Sequence, residues 1–239
     1  MNSRITVALP AYNEEETIAK VLAECQAVLD GLPNEYELIV VDNCSTDRTA
    51  ATVESLAAGD GRIRLISHAE NRLYSGSCET ALRSATGEYL IIMDSDGQMV
   101  PSDIPLFLAR IDGGEDVVFG RRKERHDPVF RLMSSKLFNF LGKAFLRYPF
   151  ADLNCGIRAF NRRAIDAVHL SHRINMANPE IYVKARINGL GIAEMNVQHR
   201  ERLGGTTSHD FGKSWQLLRE VLRYFNALRR ELASVKRVG

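Results

Sequence analysis

Residues 89–98, Tyr-Leu-Ile-Ile-Met-Asp-Ser-Asp-Gly-Gln, constrain the fold more than any other stretch of the chain. A run of Tyr, Leu, Ile, Ile and Met with no polar alternation reads as a strand buried on both faces, as in a parallel sheet. The run ends in Asp94 and Asp96, one residue apart, followed by Gly97 and Gln98. Two carboxylates at the end of a buried strand repel each other and lose hydration, so they call for a positive partner. A hard divalent cation such as Mg²⁺ or Mn²⁺ suits them, because it takes oxygen ligands and keeps positions open for phosphate. Two aspartates that merely cap a turn or the following helix would give the same short pattern, so both readings stand on this stretch alone.

The rest of the first half supplies the sheet. Residues 5–9 are apolar and β-rich and end at Pro10; residues 37–42 (Glu-Leu-Ile-Val-Val-Asp) read as a second buried strand that ends in an acid, Asp42; residues 62–67 alternate; residues 116–119 form a further short run. Between them lie helical patterns. Asn13 reads as an N-cap, with Glu14, Glu15 and Glu16 in the first turn and apolar Ile18, Val21, Leu22 and Val28 behind. Ser45, Thr46 and Asp47 open a second helix, residues 76–86 form a third closed by Gly87, and residues 102–111 a fourth. Strand and helix thus alternate through about 120 residues, which predicts a doubly wound α/β sheet with right-handed crossovers. Ligands of such sheets bind at the carboxyl ends of strands, where residues 10–13, 42–45 and 94–98 all fall. Neither the dinucleotide Gly-x-Gly-x-x-Gly fingerprint nor the Gly- and Lys-bearing phosphate loop is present, which argues against dehydrogenases and P-loop NTPases.

Composition adds one asymmetry. The formal net charge is +1, yet residues 1–120 hold 8 Lys and Arg against 20 Asp and Glu, and residues 121–239 hold 23 against 10. The basic half is suited to an anionic partner such as nucleic acid, phospholipid or a phosphorylated small molecule. Nucleic acid would leave the acidic strand ends unexplained, so none is expected. Cys25, Cys44, Cys78 and Cys155 are widely spaced with no Cys-x-x-Cys pair, and are expected as reduced thiols in a cytosolic compartment. No run approaches the 18 or so apolar residues of a membrane span, and the N-terminal apolar stretch is too short for a signal peptide.

Several segments together resemble the glycosyltransferases of family 2. These are residues 9–16 (Leu-Pro-Ala-Tyr-Asn-Glu-Glu-Glu), 40–47 (Val-Val-Asp-Asn-Cys-Ser-Thr-Asp), 71–87, 93–98, 120–122 (Gly-Arg-Arg), and 152–160 with its Asp-x-x-x-Gly-x-Arg-Ala-Phe pattern. The likeness is strongest to the dolichol-phosphate mannose synthase-like, polyprenyl-phosphate glycosyltransferase branch. It implies the GT-A fold, an α/β, Rossmann-like, mostly parallel doubly wound sheet. It also implies an inverting, metal-dependent transfer of sugar from a UDP- or GDP-sugar to a polyprenyl phosphate. The expected domain is residues 1–210, with a nucleotide-binding half at 1–120 and an acceptor half at 121–210. Residues 211–239 form a C-terminal basic amphipathic helix.

The resemblance also assigns residues. Pro10, Tyr12 and Glu14 flank the nucleotide: a tyrosine can stack a base and a carboxylate can accept from ribose hydroxyls. Asp42 accepts from the base, which selects uracil or guanine over adenine because both present an N–H. Plainer readings make Tyr12 a turn residue, Glu14 a helix-start charge and Asp42 a cap for the helix at 45. Asp94, Asp96 and Gln98 match the family's metal and diphosphate cluster, with Asp94 also touching the nucleotide. Arg122, Arg131 and Ser135 face the acceptor phosphate, and Asp96, Arg122 and Arg131 are the catalytic set. Arg202, with residues 204–207 behind it, resembles the loop that closes over the donor phosphates. Arginines suit phosphate because their N–H fork holds its oxygens in fixed geometry, although any one of them could be a solvated surface charge. A phosphate acceptor needs no strong general base; a hydroxyl acceptor would, with Asp152 or Glu180 as candidates.

Residues 130–150 interleave apolar side chains with Arg131, Lys136, Lys143 and Arg147. Residues 211–235 repeat Leu218, Val221, Phe225, Leu228, Leu232 and Val235 at three- and four-residue spacing. Basic amphipathic helices of this kind suit an anionic bilayer surface, predicting a peripheral protein on the cytoplasmic membrane face. Packing on the core, or pairing with a second copy through the heptad-spaced helix, would use the same residues. Five departures from the family pattern stand out: Cys44, Leu73, Ser75 and Ala81 replace glycines near the nucleotide. Ser208 replaces a lysine of the phosphate-closing loop, with His209 beside it. These changes leave room for two other readings, a different acceptor (glycan or lipid headgroup) and a non-catalytic nucleotide- or lipid-binding relative. A nucleotidyltransferase is disfavoured, since nothing here resembles its N-terminal phosphate loop.

Overall fold

A computed structural model describes residues 3–123, 129–149, 151–152, 154–202 and 214–235; of residues 129–135, 137, 214–218 and 235 it describes the backbone alone. Seven strands form one sheet: β1 (Ile5–Ala11), β2 (Tyr36–Asp42), β3 (Ile63–Ser67), β4 (Tyr89–Met93), β5 (Val117–Arg122), β6 (Ile157–Asn161) and β7 (Ile192–Val197). Their order is β3-β2-β1-β4-β6-β5-β7. All pairs are parallel except those of β6, which runs antiparallel to both β4 and β5. The chain winds outward from β1 in both directions, so a crevice opens where β1 meets β4, beyond their carboxyl ends.

Helices cover both faces: α1 (Ile18–Leu29), α2 (Thr49–Gly59), α3 (Leu73–Ser84), α4 (Ile104–Asp112), α5 (Val129–Leu146), α6 (Arg162–Ala167), α7 (Asn178–Ile187) and α8 (Ser214–Val235). The period-two geometry of the strands divides their side chains between two cores. Ala8, Ile39, Val41, Leu90, Ile92, Phe119 and Phe160 face α3 and the second-half helices. Val7, Leu9, Leu38, Val40, Ile91, Met93 and Ile157 face α1 and α4. Every residue of β1 and β2 is buried, including Thr6, whose hydroxyl donates to Glu37 Oε1 at 2.7 Å.

Some helix starts differ from expectation. Asn13 does not cap α1, which begins at Ile18 with no acidic residue in its first turn. Asn13 takes a left-handed φ of 55° and uses its side chain elsewhere. The helix expected from Ser45 begins at Thr49, after a loop in which the Asp47 carboxylate accepts from Thr49 N and Oγ1 at 2.9 and 2.5 Å. The third helix starts at Leu73 and ends at Ser84, so Gly87 does not close it. Gly87 lies against β1 instead, where a Cβ would stand 2.6 Å from the Arg4 carbonyl.

Heptad-spaced residues of α8 whose side chains are described pack inside the chain. Val221, Phe225 and Leu228 are buried, and the Phe225 ring packs at a tilt against Phe138 and Phe145 of α5, with ring centroids 5.2 and 6.0 Å apart. Among the described residues, this part of the α8 face packs against α5 and α7. On α5, Phe140 is 64% exposed, with Lys136 and Lys143 also exposed. Among the described residues no helix is long and apolar enough to cross a membrane. Cys25, Cys44, Cys78 and Cys155 are all free thiols.

Candidate active site at the carboxyl edge of the sheet

The loops after β1 and β2 are laced together. Asn13 N donates to Ser45 Oγ at 2.9 Å and Asn13 Oδ1 accepts from Thr46 N at 2.8 Å. Glu14 N donates to Thr49 Oγ1 at 2.8 Å, and Glu15 exchanges bonds with Asp47 and Arg48 N. These bonds satisfy backbone groups that would otherwise be orphaned beyond the strand ends. They also set Tyr12, Glu14 and Asp42 side by side on the edge. Tyr12 is 37% exposed, whereas Glu14 and Asp42 are buried. The Asp42 carboxylate accepts weakly from Ser45 N, at 3.3 and 3.4 Å, closing its own turn and not a helix. The Pro10 carbonyl accepts from Ser95 Oγ at 2.8 Å, tying β1 to the aspartate loop.

In that loop, Gly97 has φ 75° and lets the chain turn back, so that Gln98 N donates to Asp96 Oδ1 at 3.0 Å. Asp94 N donates to Gly156 O at 2.9 Å, and Asp94 Oδ1 accepts from the Tyr74 hydroxyl at 2.5 Å. Burial first, and the neighbouring charge of Asp96 second, push the Asp94 carboxyl up to about 6. Among the described residues no third His, Cys, Asp or Glu joins them in a metal-sized group. Two hard oxygen donors with the remaining positions open fit Mg²⁺ or Mn²⁺ bound jointly with a diphosphate, and would not fit a closed structural metal site.

The segment after β7 folds back over this loop. Met99 and His199 form an antiparallel bridge, and Arg200 N donates to Gln98 O at 3.0 Å. Arg200 Nε donates to Gly97 O at 2.5 Å while its fork holds Glu24 at 3.2 and 2.6 Å. Arg202 then reaches in: its Nη2 donates to Glu14 Oε1, and its Nε lies 3.9 Å from Asp96 Oδ2. Burial pushes the Glu14 carboxyl above its ordinary value, against the charge of Arg202. Three residues drawn from distant parts of the sequence thus meet in one place.

Arg122, at the end of β5, is held by a two-pronged ion pair to Asp152, at 2.7 and 2.9 Å. Both side chains are largely buried. The arginine expected at the acceptor phosphate and one candidate base are therefore each other's partner. Glu180 is fully buried and accepts from Ser171 N, Ser171 Oγ and His172 N, so it serves the α7 turn. Arg131 and Ser135 fall on α5, but their side chains lie outside the described residues, as do residues 204–209 with Ser208 and His209. Two of the substituted glycine positions keep a glycine-like backbone: Cys44 has φ 65° and Leu73 φ 60°. Ser75 and Ala81 are ordinary helical residues of α3, and both are buried.

Two further residues stand beside the aspartates, both inside segments that carry the family resemblance (residues 71–87 and 152–160) but with no role assigned to them there. Tyr74 bonds to Asp94, and Arg158 of β6, 1% exposed, donates to that tyrosine's hydroxyl at 2.5 Å. Arg158 is the arginine of the Asp-x-x-x-Gly-x-Arg-Ala-Phe pattern, and a charge inside the otherwise apolar run 157–160 marks it as well. Nothing local marks Tyr74.

Comparisons with known proteins bear on the family and the fold. The glycosyl transferase family 2 model matches residues 6–168. The undecaprenyl-phosphate 4-deoxy-4-formamido-L-arabinose transferase of Proteus mirabilis is 30% identical over 98% of this chain and 71% of its own length. The protein of the same description from Klebsiella pneumoniae is 28% identical over 92% of this chain, which spans 66% of that relative. In structure, the glucosyl-3-phosphoglycerate synthase of Mycobacterium tuberculosis, solved with Mn²⁺, uridine diphosphate and phosphoglyceric acid, superposes with a TM-score of 0.72. It covers 95% of this chain and 78% of its own, at 20% identity, a likeness of fold. With a GT-A sheet, a paired-aspartate edge and a family match over most of its length, the chain belongs to glycosyl transferase family 2 and is a glycosyltransferase.

Proposed function

We propose that this glycosyltransferase moves a sugar from a UDP- or GDP-sugar to a polyprenyl phosphate, with inversion at the anomeric carbon. The observation that carries the reading is the convergence of Glu14, Asp42, Asp94 and Asp96 on one sheet edge, with Arg202 bridging Glu14 and Asp96. The names of the two relatives supply the acceptor class.

In this reading Tyr12 stacks the base, Asp42 accepts from a base N–H, and Glu14 accepts from the ribose. Pro10 shapes the strand end beneath them. Asp94, Asp96 and Gln98 would hold Mg²⁺ or Mn²⁺, which when bound neutralises charge on the departing nucleoside diphosphate. Arg202 leaves its carboxylate partners to grip donor phosphate oxygens. Arg122, Arg131 and Ser135 orient the acceptor phosphate, whose anionic oxygen attacks without a general base. Asp152 fixes the Arg122 fork and does not take a proton. The exposed Phe140 with Lys136 and Lys143 on α5 would rest on the bilayer that carries the acceptor, giving peripheral membrane contact.

The test incubates purified protein with UDP- and GDP-sugars, with Mn²⁺, Mg²⁺ or chelator, with and without a polyprenyl phosphate. Nucleoside diphosphate release that needs both cation and lipid supports the proposal. Lipid-independent transfer, or a product that retains configuration, overturns it.

A further inference from the structure

Arg158 is the largest fully buried side chain among the described residues, with 1% of its surface exposed. Taking a guanidinium out of water is expensive, and a buried ion of this kind is a poor source of stability compared with apolar packing. Its partners are all neutral groups: Asn178 Oδ1 at 2.6 Å, the Tyr74 hydroxyl at 2.5 Å and Cys78 Sγ at 3.1 Å. Its Nε has no partner among the described residues. The guanidinium also lies 5.2 Å from the centroid of the Tyr74 ring.

The direction of the bonds is forced. Arginine only donates, so the Tyr74 oxygen accepts from Arg158 and its single proton must go elsewhere. It goes to Asp94 Oδ1, 2.5 Å away. The other oxygen, Oδ2, lies against the bare Cα of Gly156, where a Cβ would stand only 2.2 Å from it. The Asp94 backbone N–H is meanwhile anchored on the Gly156 carbonyl. One face of the sheet brings these groups together: Arg158 pairs with Ile92 across β4 and β6, two residues before Asp94. Tyr74 and Cys78 sit one turn apart on α3, which covers that face.

We propose that Tyr74 and Arg158 are positioning residues for Asp94, holding its carboxylate in the one orientation in which it meets the donor's cation and diphosphate. The proposal rests on the reading of Asp94 and Asp96 as the cation and diphosphate site. Arg158 acts through Tyr74: it supplies the positive charge behind the carboxylate and fixes which way the hydroxyl proton points. Partners of this kind behind a metal-binding carboxylate are worth about 10–100-fold in metal affinity.

The measurement is Mn²⁺ binding to the full chain in the presence of UDP, by calorimetry or by loss of the free Mn²⁺ spin-resonance signal. Thermal unfolding is recorded in parallel. Tyr74→Phe keeps the ring and its contact with Arg158 and deletes only the hydroxyl. It should weaken Mn²⁺ binding about tenfold while leaving metal-free UDP binding and Tm close to the wild type. Arg158→Lys, which keeps the charge but loses the fork, should fall between the two. Mn²⁺ affinity in Tyr74→Phe equal to wild type overturns the positioning role alone. Failure of the wild type to take up Mn²⁺, or an Asp96→Asn variant that binds it normally, overturns the cation reading and this proposal with it.

Discussion

Gly156 and Asp94 stand so close that a methyl group on the glycine would fall 2.2 Å from Asp94 Oδ2 and 2.7 Å from its Cγ. No real contact is that short, so Gly156→Ala must displace the carboxylate or the strand behind it. The variant should fold, because Gly156 lies just before β6 and bears no core side chain. It should lose at least about 10²-fold in sugar transfer, the scale seen when a preorganised charge-stabilising group is lost. Steady-state kinetics alongside circular dichroism checks this.

Asp96→Asn tests the second carboxylate. Asparagine can still accept from Gln98 N through its amide oxygen, so the loop geometry should persist. What disappears is the charge that would hold a cation and that faces Arg202. Turnover should fall by at least about 10²-fold with little change in Tm, and a near-normal rate would remove Asp96 from the chemistry.

The Arg122–Asp152 pair is 11% and 6% exposed. Removing one partner strands a largely buried charge. Asp152→Ala should therefore destabilise the fold by about 3 kcal/mol, measured by urea unfolding. In the Arg122→Met/Asp152→Ala double variant the loss should be smaller than in Asp152→Ala alone, because no charge remains uncompensated.

Cys44 holds φ 65° without being glycine, a conformation that costs an L-residue about 1–2 kcal/mol. Cys44→Gly relieves that cost and gives back part of it through the freer unfolded chain. A net gain of about 0.5 kcal/mol, or about 2 °C in Tm, is expected. A lower Tm would show that the cysteine side chain makes up for its strain by contacts such as that with the Ala69 carbonyl at 3.9 Å.

Glu231 fastens α8 to the body through Lys184 at 2.7 Å and His172 at 3.1 Å. Burial pushes its carboxyl up, but the hydrogen bonds from Lys184 and His172 outweigh burial and hold it below its ordinary value of 4.5. Its folded form thus binds a proton less readily than its unfolded form, so its contribution is present above pH 4.5 and is lost as pH falls through the lowered value. Glu231→Gln should cost about 1 kcal/mol at pH 7, near 3 °C in Tm. The gap between variant and wild type should close in more acid solution, as thermal scans from pH 7 to pH 3 would show.

The sequence by itself determined the layered α/β architecture and the chemistry of the first sheet edge. Both depend on short-range pattern: apolar runs too long to leave a solvent face, helical periods between them, and polar residues where each run stops. It missed the true starts of α1 and α2, because Asn13 and Asp47 satisfy the neighbouring loop and not the nearest helix. It also left the face of α8 open among membrane, core and a second copy, since amphipathic spacing says only that one side must be covered. Tertiary structure placed the helix starts and packed Val221, Phe225 and Leu228 of α8 on the core. It inserted β6 antiparallel between β4 and β5, placing Arg158 and Gly156 behind Asp94. It brought Arg202 across 188 residues to Glu14 and closed Arg122 on Asp152. Such pairings are fixed by strand order and by charges seeking partners out of water, and neither quantity is carried by any local stretch of the chain.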